Sequence, residues 1–236
     1  MTAVPIRDEL IERAVKQLAA AFARLITGRA VNVTEAEAGT MRAEIAELYR
    51  RFIGTSSDLV KRLSTEDLLG VLGSAGYVDG ERAYLLSALL ETEAQLEVAQ
   101  GAAPDDPAVA SLRERSLDLA LEAGIEELGE PDLPGRVERL LGVVPRHARS
   151  AATWERLVGF WQAQGVWSKA EDAVFAWLDE VESGSGDEAR LRAVAERFYG
   201  HLGELDDDTL ASGGLPREEL AEGRSEVLTR LAGVPD

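Results

Sequence analysis

Helical periodicity runs through almost all of the 236-residue chain and constrains its fold more than any single motif. Apolar side chains recur at steps of three and four. That spacing puts them on one face of an α-helix, whereas a half-buried strand needs strict alternation. Alternation is confined to the short stretch Ala30–Val33. From Pro5 to about Thr27, the residues Ile11, Val15, Leu18, Phe22 and Leu25 form one stripe, and Gly28 supplies a stop. The next stripe is Met41, Ile45, Leu48 and Phe52, with Tyr49 and Ile53 beside it and Gly54 after it.

Start signals fall where these stripes begin. Glu37 lies three residues after Thr34, and Asp67 three after Ser64, the spacing of a capping box. A long helix is predicted from Asp79 to Gln100, with Leu86, Leu89, Leu90 and Leu96 on its apolar face and Gly101 at its end. Asp106 and Pro107 open the next helix, which runs to about Gly124. "GEPDLPG" (Gly129–Gly135) and "SGSGD" (Ser183–Asp187) are the clearest breaks. A helix from Glu188 to about Leu202 carries Leu191, Val194, Phe198 and Leu202. The last, from Pro216, carries Leu220, Val227, Leu228 and Leu231. The expected fold is therefore all-α, built from antiparallel helical hairpins. Two segments are expected within one continuous domain: an N-terminal helical segment, 1–76, and a hairpin region, 77–236.

Composition removes several function classes. There is no cysteine, so thiolate catalysis, disulfides and Cys-based zinc sites are absent, and two histidines do not make a His-rich metal site. No cofactor is expected. The net charge is −18, near balance through residue 80 and strongly acidic beyond it. Phosphate backbones and anionic membranes both need a basic face, so neither nucleic acid nor membrane is an expected partner. No window of 18 uncharged apolar residues occurs, and the charged N-terminus does not read as a signal peptide; the expected location is the cytoplasm.

All four tryptophans lie between Trp154 and Trp177. Trp154, Leu157 and Trp161 share a face of one helix, Gly165 allows a turn, and Trp167, Ala170 and Val174 follow on a second. A small Ala170 lets two helices approach while aromatic rings fill the wedge between them. This spacing resembles one tetratricopeptide repeat, a 34-residue helix–turn–helix unit, over about Ala151–Gly184. Residues 83–123 look like a looser version. The layout, with its "GGLPREELAEG" tail (Gly213–Gly223), is also similar to a bacterial family of repeat-like helical proteins of unknown function. The sequence departs from the repeat at Val158, where glycine is usual, and at Trp177, where a small residue is usual.

The resemblance implies a tetratricopeptide-like α-solenoid with capping helices. In such repeats the first helices line a concave groove. On that alignment Glu155, Gly159, Gln162 and Ala163 face the groove, and the unasked-for Trp177 is a candidate for a partner surface. Some repeat proteins hold a carboxylate terminus there with Lys and Asn. Glu155 and Gly159 occupy those places here, so a basic or neutral peptide suits the site better.

Other candidates are weaker. Asp206–Asp208 lack the calcium-loop pattern and read as a helix cap. "VPRHARS" (Val144–Ser150) is the densest basic spot of the acidic half. No phosphate-binding, dinucleotide, nucleophile-elbow or zincin motif occurs, and an enzyme is not expected. The leading expectation is a non-catalytic interaction protein that binds a protein or peptide. The alternatives are a homodimer joined through the N-terminal helix, and a small-molecule sensor or enzyme with an interhelical pocket near Trp177.

Overall fold

The computed structural model describes residues 34–74, 77–125, 132–184 and 187–233. Both the expected helix Pro5–Thr27, on which homodimerisation was placed, and the alternation at Ala30–Val33 lie outside them. Among the described residues there are eleven α-helices and a single pair of two-residue strands, so the all-α expectation holds. The helices gather into two compact units that part between Val144 and Pro145. The expected boundary at 76/77 falls inside the first unit.

In the first unit, α1 (Glu35–Leu48) begins at the anticipated capping box. The Thr34 amide donates to Glu37 Oε2 at 2.9 Å, and the Thr34 hydroxyl accepts from the Glu37 amide. Ala38, Ile45, Tyr49 and Ile53 are the buried side of this segment; Met41, Leu48 and Phe52, expected in the stripe, are half-buried. The helix then widens into a π-turn over Tyr49–Ile53, closed by Gly54 at φ 81°. A widened turn rotates the following side chains relative to a regular helix. Two short helices follow, α2 (Ser57–Arg62) and α3 (Thr65–Leu72), the latter with the expected Ser64–Asp67 box. Gly73–Ser74 (β1) and Tyr77–Val78 (β2) pair antiparallel.

The core of this unit is the hairpin of α4 (Gly80–Ala99) and α5 (Pro107–Ile125). Every residue of α4 from Ala83 to Ala94 is buried, so this helix has no solvent face. Ser87 and Ser116 let the two backbones approach. Ser87 Oγ donates to the Ser116 carbonyl at 2.7 Å and Ser116 Oγ donates to the Ser87 carbonyl at 2.9 Å. Then α6 starts at Leu133, inside the stretch expected as a break, with Pro134 in its first turn where no amide partner is lost.

The second unit opens with a short 3₁₀ turn at Arg146–Ala148 and the hairpin α7 (Ala151–Ala163) and α8 (Trp167–Glu182). Ser150 caps α7 by accepting from the Thr153 amide at 3.1 Å. Gly165, at φ 67°, makes the turn between them. α9 (Glu188–Gly203) packs on α7 and α8, with Leu191, Val194, Phe198 and Leu202 buried as expected. α10 (Asp207–Ser212) is capped by Asp206, which accepts from the Thr209 amide at 2.8 Å. α11 (Arg217–Ala232) closes the unit against α8 and α9, burying Leu220, Val227 and Leu231; Leu228 is half-buried.

Candidate functional site

The tryptophan hairpin is core. Trp154, Leu157 and Trp161 on α7 and Ala170 and Val174 on α8 are all buried. Trp177 is buried as well, at 1 % exposure, which corrects its assignment to a partner surface. Position 177 repeats the phase of Ala170, Ala173 and Val174, so the ring turns into the packed side of α8. Two cations sit on these rings: the Arg149 guanidinium lies 5.0 Å from the Trp154 ring and Lys169 Nζ 4.4 Å from the Trp161 ring. The chain's own cations thus use the aromatic faces that a cation cage would offer.

The four groove candidates do share one side of α7. Glu155 and Gly159 are one turn apart, and Gln162 and Ala163 lie one turn further on. Glu155, Gly159 and Gln162 are half-buried and Ala163 is exposed. Glu155 is already engaged: Arg190 Nε donates to one carboxylate oxygen at 2.7 Å and Arg197 NH2 to the other at 2.6 Å. Sequence reasoning missed these two partners. Arg190 and Arg197 stand seven apart on α9, hence on one face, and that spacing was the available signal.

A second arrangement was not anticipated. Gly213 and Gly214 lie between α10 and α11. The Gly213 carbonyl accepts from the Ser168 amide at 3.2 Å, and Trp167 Nε1 donates to the Thr209 carbonyl at 3.2 Å. Half-buried Trp167 lies so close to Gly213 that an added Cβ would fall 1.9 Å from its Cδ1. Further along the tail, Gly223 rests on Glu171, whose Oε1 accepts from the Tyr199 hydroxyl at 2.9 Å. Burial chiefly, and then the carboxylates of Asp172, Glu219 and Glu226, push the Glu171 carboxyl up to about 7; the Tyr199 bond opposes them. The three glycines of "GGLPREELAEG" are therefore at close approaches or at a left-handed turn (Gly214, φ 78°).

The first unit holds a separate polar network around α4. Glu93 Oε1 accepts from Ser57 Oγ at 2.5 Å, and Lys61 Nζ lies 3.2 Å from Oε2. Burial, and then the Glu93 charge, push the Tyr49 phenol well up. Arg115 donates to the carbonyls of Val60 and Leu63, closing the end of α2. Buried Glu91 pairs with buried Arg136 at 2.5 Å, and that guanidinium lies 5.3 Å from the Tyr84 ring. These groups tie α2, α4, α5 and α6 together. Among the described residues no three His, Cys, Asp or Glu are placed to hold a metal ion, and no helix is long and apolar enough to cross a membrane.

The class these features define is an all-helical protein with two compact hairpin-based units. The chain belongs to DUF6483, a family of unknown function, whose match spans residues 6–232. Comparison with curated proteins and with solved structures returned no match.

Proposed function

We propose that the chain is a non-catalytic helical-repeat interaction protein that binds a protein or peptide with a basic surface. The observation that carries the reading is the use of charge in the second unit. Many of its arginines pair with its own acids at the surface: Arg190 and Arg197 with Glu155, Arg217 with Asp207, Arg192 with Glu188, Arg230 with Asp179 and Glu182. Glu196, Glu204, Asp208, Glu218 and Glu222 remain exposed. Such a surface favours encounter with a basic partner and disfavours nucleic acid.

The α7–α8 hairpin supports a tetratricopeptide-like arrangement. Its matched residues are buried, Gly165 turns with positive φ, and α9 packs on both helices. On this reading the partner lies along Gly159, Gln162 and Ala163, and its cations compete with Arg190 and Arg197 for Glu155. The test is capture of a Lys/Arg-rich peptide panel by the immobilised full chain at low salt. Binding that falls steeply with salt, and several-fold more in the double variant Gln162→Arg, Ala163→Arg, is expected. No capture, or capture that the double variant leaves unchanged, refutes this surface.

A further inference from the structure

α11 is seated on a carboxyl group. At Gly223 it has no side chain, and one would require the Glu171 carboxyl to move: a Cβ there would lie 2.1 Å from Glu171 Oε1 and 3.2 Å from the Tyr199 hydroxyl. Three helices meet at this point, with Glu171 from α8, Tyr199 from α10's predecessor α9 and Gly223 from α11. Tyr199 gives Glu171 one hydrogen bond, at 2.9 Å. The charged groups set against it are acids, namely Asp172 on α8 itself and Glu219 and Glu226 on α11. Most cations of these helices are engaged elsewhere: Lys169 lies over Trp161; Arg192 of α9 holds Glu188 and the Leu231 carbonyl; Arg197 holds Glu155; Arg230 of α11 holds Asp179 and Glu182 and lies 3.7 Å from Glu226. Arg224, next to Gly223 on α11, is exposed.

A neutral carboxyl suits this junction and a carboxylate does not. The ionised form loses water, meets two more acids on the docking helix and has one donor to replace its hydration. We propose that Glu171 is a pH-responsive latch for α11: protonated, it lets the helix seat at Gly223, and ionised, it loosens that helix from α8 and α9. The direction follows from linkage. The carboxyl titrates at about 7 when α11 is seated, against the ordinary 4.5 when it is free. A group raised in this way supports docking fully below 4.5. That support is lost as pH climbs to about 7, and is flat above. The latch therefore works in mildly acid to neutral solution.

The experiment uses the full chain. Amide hydrogen exchange of α11 is measured at pH 5.5 and pH 7.5, with rates corrected for intrinsic base catalysis. After discounting for the half-exposed site, protection is expected to fall about fivefold between the two. In Glu171→Gln the fall disappears, and α11 stays protected at both values. As a check that needs no variant, the ¹³Cδ signal of Glu171 in the native chain is titrated, with a midpoint near 7 expected. In Tyr199→Phe that midpoint rises, because the bond that favours the carboxylate is gone. Equal wild-type protection at both pH values, the same fall in Glu171→Gln, or a carboxyl that titrates near 4.5 overturns the latch.

Discussion

Replacing Gly213 with alanine puts a methyl carbon 1.9 Å from Trp167 Cδ1, 2.3 Å from Nε1 and 2.6 Å from Cγ. Carbon contacts are comfortable at roughly 3.5–4.0 Å, so ring and loop must separate by about 1.5 Å or more. The ring cannot simply swing aside. Its Nε1 is bonded to the Thr209 carbonyl at 3.2 Å, and its edge meets His201 with centroids 6.4 Å apart. Moving the loop instead strains the bond from the Ser168 amide to the Gly213 carbonyl, 3.2 Å. Overpacking costs about 1–3 kcal/mol and each lost hydrogen bond about 1 kcal/mol. We expect Gly213→Ala to destabilise the second unit by about 3 kcal/mol. Tryptophan fluorescence is the natural assay, because all four tryptophans lie in that unit, which makes its denaturant transition visible apart from the rest. The midpoint should fall while the m-value holds, and Tm should drop by more than about 10 °C. A shift below about 2 °C would falsify the close packing of the tail on Trp167.

Two further substitutions probe the units separately. Glu91→Ala leaves Arg136 charged, buried and unpaired against Tyr84, and should cost about 3–5 kcal/mol in circular-dichroism melts, while Glu91→Leu with Arg136→Leu recovers most of it. A single variant that melts with the wild type would show that water, not Glu91, satisfies the guanidinium. Gly200→Ala should stabilise the second unit by about 1 kcal/mol, since Gly200 is exposed within α9 and nothing lies within 4 Å of an added Cβ. A lower fluorescence-detected midpoint in that variant would contradict this placement of α9.

Helix starts were legible because caps are local chemistry. Thr34, Ser64, Asp106 and Asp206 act within three residues of themselves, and each accepts from a nearby amide. The stripe of α9 was legible for the same reason, whereas α4 is buried all round from Ala83 to Ala94 and not on one face. Less legible was α1, where Met41 and Leu48 of the expected stripe are half-buried and a π-turn follows at Tyr49–Ile53. Leu133–Gly135 read as a break from its prolines and glycine, yet it forms the first turn of α6, where proline is tolerated. For the candidate site, Glu155, Gly159, Gln162 and Ala163 came from the repeat resemblance, and helical period puts those positions on one side of α7. Arg190 and Arg197, the partners of Glu155, lie a helix away. No local spacing says that α9 turns that face toward α7.

Trp177 shows the limit most sharply. A pattern taken from one hairpin has no place for a ring there, which made it a candidate for a partner surface; burial followed from what packs over α8. The tail "GGLPREELAEG" is the complementary case. The sequence assigns its glycines no role, yet two of them are contacts, Gly213 against Trp167 and Gly223 against Glu171 and Tyr199. Period, caps and turn glycines are properties of a few consecutive residues, and they settle that this chain is helical and where most of its helices begin. Which charges are neutralised, which ring is hidden and which carboxyl is pressed toward its neutral form depend on residues far apart in the chain. Those outcomes arise only when helices exclude water from one another, because desolvation and close contact are set by the neighbour and not by the residue itself.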